Sequence, residues 1–212
     1  MIYLVRHGES VANIEGLYQG QTYDTNLSDL GKEQVKQISG YFQKIVQDGA
    51  KIDDIWVSPL TRTKETALPI SSSLHIPYKL EPLLLEADHG VWSGKGKDWV
   101  CDNYMGFCEI WWNTPSKAEF PEGEKFVEVV ERAKELVAKL PKDKNIILVS
   151  HDNTIRAILS VAENRDIDKM WDYPLENACI CVLEEKNDGY DLKEIIVEHL
   201  NGLRSDVAHQ VR

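Results

Sequence analysis

Arg6-His7-Gly8-Glu9 directly follows the apolar run Met1–Val5. A guanidinium fork suits phosphate or carboxylate, and an imidazole can act as nucleophile or proton carrier. Gly8 would let the chain turn sharply and let a ligand approach the backbone. A second histidine stands in an equivalent place, because the apolar run Ile146–Val149 ends in Ser150-His151. Ser58-Pro59-Leu60-Thr61-Arg62-Thr63 follows Ile55-Trp56-Val57 and offers another guanidinium. Glu86-Ala87-Asp88-His89-Gly90 follows Leu83–Leu85 and offers carboxylates and a further histidine. One histidine at a strand end is more often a hydrogen-bonded structural residue than a catalyst. Four strand-to-loop junctions, each with a polar group of this kind, are harder to dismiss. Together they hold what phosphoryl transfer needs: a nucleophile, cations for the equatorial oxygens and a proton donor.

The intervening sequence must position these groups. Ser28 can cap a helix from Asp29 to about Asp48, with Leu30, Val35, Ile38, Phe42, Ile45 and Val46 as its apolar stripe. Further helices are expected over Leu60–Leu74, Glu124–Leu140 and Asn153–Ala162. Strands are expected at Met1–Val5, Ile55–Val57, Ile146–Val149, Ala178–Leu183 and Leu192–His199, with Asn187-Asp188-Gly189 turning between the last two. This alternation argues for an α/β fold of three layers, α/β/α, with a mostly parallel central sheet. Ligands of such sheets bind beyond the carboxyl ends of the strands, where both histidines fall. The Trp- and Gly-rich stretch from Gly90 to Glu122 breaks the rhythm and reads as an insertion over the active-site end. Within it Val100, Tyr104, Phe107, Cys108 and Trp111 recur at helical spacing. An apolar face packed on the core is the expectation, with a lid or a dimer contact as the alternative.

The 212 residues suffice for one large α/β domain, taken as 1–212, and 42% of them are apolar. With 35 acidic and 24 basic residues the net charge is −11, which argues against binding nucleic acid or an anionic membrane through the overall field. An anionic ligand must be held by a local Arg and His cluster. Met1–Val5 is too short for a signal peptide or a membrane span, and a cytoplasmic location is expected. Cys101, Cys108, Cys179 and Cys181 form no CxxC pair, and Cys179 and Cys181 would share one strand face as buried free thiols. No carboxylate cluster with metal-ligand spacing accompanies the phosphate residues, so neither metal nor cofactor is expected. His75 and His209 read as solvated, Lys95 and Lys97 as part of an exposed loop, Trp92 as packing, and Arg156 as a structural ion pair or cap.

The chain resembles the histidine phosphatase superfamily, also called the phosphoglycerate mutase-like family. The matching stretches are Arg6-His7-Gly8-Glu9-Ser10 with Asn13, Leu27-Ser28-Asp29-Leu30-Gly31 with Gln34, and Ser58–Thr63 with Thr66-Ala67. Then come Glu86–Gly94, Glu122-Gly123-Glu124, and Val149-Ser150-His151 with Arg156. The resemblance implies that His7 becomes phosphohistidine, that Arg6, Arg62 and His151 surround the phosphoryl oxygens, and that Glu86 protonates the leaving oxygen. It implies substrate contacts for Asn13, Gln19, Gly20 and Ser150. One departure stands out: the family commonly has Gly after the second histidine, whereas Asp152-Asn153 follow His151 here. A helix cap is the favoured role for Asp152, and orienting a ring nitrogen the other.

The similarity runs closest to the metal-independent phosphoserine phosphatases, through Asp88–Gly94, Glu119-Phe120, His199-Leu200 and Ala208-His209. This implies a small phosphorylated substrate, L-phosphoserine first, with His89 and His199 reading its amino-acid end, and allows a homodimer. Phosphoglycerate, sugar phosphates and α-ribazole phosphate remain open as substrates. A phosphoglycerate mutase and an inactive scaffold are the competing functions. Mutases of the family carry a longer, more basic insertion, and a scaffold has no need of the full residue set.

Overall fold

The computed structural model describes residues 1–186 and 189–205. Six strands form one mixed sheet in the order β3-β2-β4-β1-β5-β6. They are β1 (Ile2–Arg6), β2 (Asp54–Val57), β3 (Tyr78–Leu80), β4 (Ile146–Ser150), β5 (Ile180–Lys186) and β6 (Gly189–Ile196). The first four run parallel, while β5 and β6 are antiparallel to their neighbours. β1 and β4 are continuous apolar runs because helices cover both sides of the sheet. Ile2, Leu4, Ile146, Leu148, Cys181 and Leu183 face one layer. That layer is made by α5 (Phe126–Lys139) and α6 (Asp152–Ala162). Tyr3, Val5, Ile147, Val149, Ile180 and Val182 face the other, made by α2 (Asp29–Gln47) and α3 (Thr61–Leu74). Cys179 and Cys181 are buried free thiols on one side of the sheet, as their spacing suggests.

Three local readings change. Leu83–Leu85 does not form a strand. Pro82–Leu84 is a 3-10 turn after β3, so Glu86 hangs from a loop rather than a strand end. Pro82 removes the N–H that a ladder would need. The last strand stops at Ile196, and His199 lies in a 3-10 turn, Glu198–Leu200, closed by Asn201 in the left-handed region. The expected turn at Asn187-Asp188 and the Ala208-His209 stretch lie outside the described residues. A short helix, α1 (Val11–Ile14), was not expected. Ser10 caps it, accepting from the Asn13 N–H while the Asn13 side chain accepts from the Ser10 N–H.

The stretch from Gly90 contains α4 (Lys97–Asn113), kinked at Tyr104 where φ is −136° and ψ is 41°. Val100, Cys108 and Trp111 point inward, while Tyr104 and Phe107 are only partly covered. Trp92 is fully buried against Tyr18, Phe107 and Phe120, a packing role. Trp111 meets Phe120, Phe126 and Trp171 edge-on at ring distances of 5.0–5.2 Å. The insertion thus packs its apolar side chains onto the core on the α5–α6 side of the sheet, as expected.

Gly8 is small for a reason other than ligand approach. A Cβ there would lie 2.8 Å from the Gly31 carbonyl oxygen, and one on Gly31 would lie 2.0 Å from the Glu9 carbonyl oxygen. The loop after β1 and the first turn of α2 therefore touch backbone to backbone. Ser28 fixes the joint by accepting from the Gly31 N–H at 2.9 Å and donating to Glu9 at 2.6 Å. Gly31→Ala should destabilise the fold by about 1–3 kcal/mol, the usual cost of overpacking, read as a lowered thermal midpoint. An unchanged midpoint would mean that the two segments part easily.

Candidate active site

β1 delivers Arg6 and His7 to the carboxyl edge of the sheet. The His7 N–H donates to the Ser150 carbonyl at 3.1 Å, and its own carbonyl accepts from the Ala178 N–H at 3.1 Å and Asn177 Nδ2 at 3.3 Å. The backbone of His7 is thus tied to both neighbouring chain segments. His7 Nδ1 lies 2.7 Å from the Gly8 carbonyl oxygen. A carbonyl can only accept, so Nδ1 carries the proton and Nε2 keeps its lone pair. Burial first, then Arg62 and Arg6, hold the imidazolium form well below the ordinary histidine range. At neutral pH this ring is a neutral base with Nε2 as its nucleophilic atom.

Arg62, on the first turn of α3, is 1% exposed. Its Nη1 donates to Asp24 at 3.0 Å and its Nη2 to the Gly20 carbonyl at 2.9 Å. Asp24 also accepts from the Thr61 N–H, which fixes it at the start of the helix. Arg6 donates through Nη1 to the Leu175 carbonyl and to Asp152, both at 3.0 Å. In both arginines Nε is buried with no hydrogen-bond partner. Two buried, unsatisfied guanidinium donors beside a neutral imidazole form a site for an anion.

Glu86 rests on the N-terminus of α6. It accepts from the N–H groups of Ala87 at 2.9 Å, Asn153 at 3.4 Å and Thr154 at 3.3 Å, and from Thr154 Oγ1 at 3.3 Å. Burial first, then the charge of Asp152, pushes its carboxyl group up, against the opposing hydrogen bonds and Arg62. A carboxyl group held toward its protonated form is suited to giving a proton to a departing oxygen. The sequence offered no clue to what holds its loop. Arg132 from α5 donates to the carbonyls of Leu83, Leu85 and Glu86 and pairs with Glu124 at 3.0 Å, while Gln21 adds a bond to the Glu86 carbonyl. Arg132 lies on the polar face of an amphipathic helix, where a cation has no sequence signature of a role.

The cavity, with about 530 Å³ of empty volume including its open mouth, has room for a small phosphate ester. Arg6, His7, Asn13, Gln19, Gly20, Arg62, Glu86 and His89 line it, as do Asp152, Asn153, Leu17, Tyr18, Trp111 and Trp171. The phosphate-binding set expected from sequence therefore converges, with three exceptions. His151 stands behind the wall, its ring 5.3 Å from that of His7 and its Nε2 2.8 Å from Ser58 Oγ. Ser150 donates to the Leu84 carbonyl at 2.8 Å and serves the loop that leads to Glu86. His199 does not line the cavity. Its Nε2 bonds the Ala178 carbonyl at 3.0 Å and its ring packs near Tyr41, so the expected contact with the substrate's amino-acid end is replaced by a backbone bond. The reason is the early end of β6, which turns residue 199 back onto the chain.

Asp152 is not the helix cap. His151 takes the cap position, without a side-chain bond, and Asp152 is the first residue of α6. Its carboxylate pairs with Arg6 at 3.0 Å and with Arg156 through Nε at 2.9 Å and Nη2 at 3.1 Å. Burial alone would raise it, but Arg156 and Arg6 outweigh that and bring it down to about 2. Arg156 is the structural ion pair expected of it, and it also donates to the Met170 and Tyr173 carbonyls. His89 lies beside the site with Nε2 3.1 Å from Asn153 Nδ2, pulled down to about 3 by burial and then Arg62. Asp24, Asp152, Trp111 and Trp171 are the site residues that sequence reasoning missed. Asp152 was visible as a departure beside His151 and Trp111 as part of the helical apolar spacing of the insertion, while Asp24 and Trp171 carried no signal.

Because burial and both arginines depress His7, and burial, Arg62 and His7 depress His151, both rings should stay neutral as pH falls through 6.5. Imidazole NMR titration of the full chain checks this. Protonation of His7 midway near pH 6.5 would contradict the buried, arginine-flanked environment.

A family model for the histidine phosphatase superfamily, branch 1, matches residues 2–197. Phosphoserine phosphatase 1 of Hydrogenobacter thermophilus is 34% identical over 203 residues, 94% of this chain and 93% of that protein. The adenosylcobalamin/alpha-ribazole phosphatase of Escherichia coli is 28% identical over 185 residues, 84% of this chain and 86% of that protein. Among solved structures, Bacillus stearothermophilus YhfR shares the fold with a TM-score of 0.85 at 23% identity, over 94% of this chain and 98% of that one. With the motif residues gathered around one cavity and the match running through nearly the whole chain, the chain belongs to the histidine phosphatase superfamily of phosphate-ester hydrolases.

Proposed function

We propose that this protein is a metal-independent phosphomonoesterase working through phosphohistidine at His7, with L-phosphoserine as its first candidate substrate. The observation that carries the reading is the His7 ring, with Nδ1 held by the Gly8 carbonyl between two buried arginines and a raised carboxyl group in the same cavity. The Nε2 lone pair attacks phosphorus, and the ester oxygen leaves with the proton of Glu86. Water then returns a proton to Glu86 as its oxygen attacks phosphorus, and the electrons of the P–N bond go back to Nε2. Arg6 and Arg62, both on the cavity wall, compensate the charge on the equatorial oxygens throughout.

The phosphoserine assignment draws on the 34% identity with a phosphoserine phosphatase over nearly the whole chain. The leaving group would sit among Tyr18, His89, Trp111 and Trp171. His89, not His199, is the histidine within reach of it. A relative named as an α-ribazole phosphatase keeps a larger leaving group open. A panel of phosphorylated metabolites decides between them, with phosphoserine turnover expected. Its absence beside turnover of another ester would reassign the substrate and leave the chemistry intact.

His7→Ala should fold and retain less than roughly a hundredth of wild-type activity, because the covalent intermediate forms on the imidazole set between Arg6 and Arg62, and His89 is engaged with Asn153. Early quenching of the wild type should trap an acid-labile phosphoprotein, and activity should survive EDTA. Loss to the chelator with recovery on adding Mg²⁺ would sink the metal-independent mechanism.

Glu86→Gln keeps the shape but cannot cycle a proton. Turnover of alkyl phosphates should fall by about 10²–10⁴, and that of an aryl phosphate by less, since its oxygen needs less protonation. Equal losses on both would remove Glu86 as the leaving-group acid.

A further inference from the structure

Two carboxylates meet the N-terminus of α6, and they are treated oppositely. Asp152 holds three charge-assisted contacts, one to Arg6 and two to Arg156. Glu86 is held by backbone N–H groups and Thr154 Oγ1. Two negative charges at one helix end repel each other, so the group with the guanidinium partners stays ionised and the other keeps the proton more readily. Asp152 also sits between a cation of the cavity and an anchored one. The Nη1 of Arg156 is spent on the Met170 and Tyr173 carbonyls. Nη1 of Arg6 is spent on Leu175 and Asp152, and its Nε is a buried donor without a partner.

We infer that Asp152 is a positioning residue for phosphoryl transfer: paired with both Arg6 and Arg156, it tempers the positive charge at the cavity wall, and as the second carboxylate at the start of α6 it favours the protonated form of Glu86. The inference rests on the phosphatase reading above. The other charges facing Glu86 come from several elements. Arg6 and His7 stand at the end of β1 and Arg62 on α3, all on the cavity wall with it. Arg132 of α5 reaches its main-chain carbonyl and is matched by Glu124. His89, in its own loop, and His151 are held neutral. Arg62 is matched by Asp24 at 3.0 Å, so Asp152 is the negative charge set against Arg6 and the carboxylate that shares the start of α6 with Glu86. Removing it has two linked effects: the cavity becomes more positive and holds phosphate more tightly, and Glu86 gives up its proton at lower pH.

The test uses Asp152→Asn in the full chain, with p-nitrophenyl phosphate and β-glycerol phosphate as probes and inorganic phosphate as product inhibitor. Leaving-group departure needs protonated Glu86, so kcat/KM for the alkyl ester is lost as pH rises through its pKa. In the variant that basic limb should move to lower pH by about half a unit or more, and phosphate should inhibit about 10-fold more tightly, as expected when a neighbouring opposite charge is lost. Arg156→Gln removes a positive charge from the other side of the same carboxylate and should move the limb the opposite way. A uniform loss of kcat with an unmoved limb and unchanged phosphate inhibition would make Asp152 merely structural and overturn the proposal. If only one variant folds, its limb decides alone. Wild-type protein that hydrolyses no phosphate ester would overturn the phosphatase reading and this inference with it, whereas turnover with an unmoved limb overturns this inference alone.

Discussion

Burying positive charge next to neutral imidazole is the constraint to which the rest of the molecule answers. A guanidinium taken out of water is tolerated only when its donors are met. Arg62 is met by Asp24 and the Gly20 carbonyl, and Arg6 by Asp152 and the Leu175 carbonyl. These four partners come from three segments of the chain, so the site can form only when the loop after α1, the start of α6 and the approach to β5 are all in place. Both arginines are then fixed before any ligand arrives, with the Nε of each enclosed and unpaired. An anion entering such a site finds its partners already oriented, and little reorganisation is left for the reaction itself.

The same arrangement sets protonation by position. His7 and the carboxyl group of Glu86 are both buried in one cavity, yet burial favours the neutral form of each, which makes one a base and the other an acid. No metal ion is required to create this difference. A net charge of −11 does not interfere, because the cations are enclosed by low-dielectric walls and act over short distances, while the acidic surface is screened by water and salt.

The elements of the sheet were legible in sequence because β1 and β4 are apolar without interruption and their strand ends carry the polar motifs. α2 and α5 were legible through their one-sided apolar stripes, and Ser28 marked the start of α2. Legibility failed where three-dimensional context overrides pattern. Leu83–Leu85 is as apolar as a strand, but Pro82 bends it into a turn that Arg132 then holds by its carbonyls. Tyr78–Leu80 pairs with β2 although it is short and half polar, as an edge strand can be. In the site, the residues named from sequence were those with chemistry of their own, namely His7, Arg6, Arg62 and Glu86. Those missed act on other residues: Asp24 and Arg132 are ordinary surface residue types until the fold puts them beneath the cavity.

The two ends of the cavity come from separate parts of the chain. Its phosphate end is built on the strand ends and the helices that follow them. Its far end is lined by Trp111, from the kinked helix of the insertion, and by Trp171, from the 3-10 stretch that follows α6. Neither tryptophan belongs to the segments that hold His7, Arg62 or Glu86. The two are not equally free: Trp171 lies under the Arg156 guanidinium at 5.1 Å, and Arg156 also bonds the flanking Met170 and Tyr173 carbonyls and Asp152, so a change at Trp171 is felt at Arg6, whereas Trp111 reaches that end only through its neighbours.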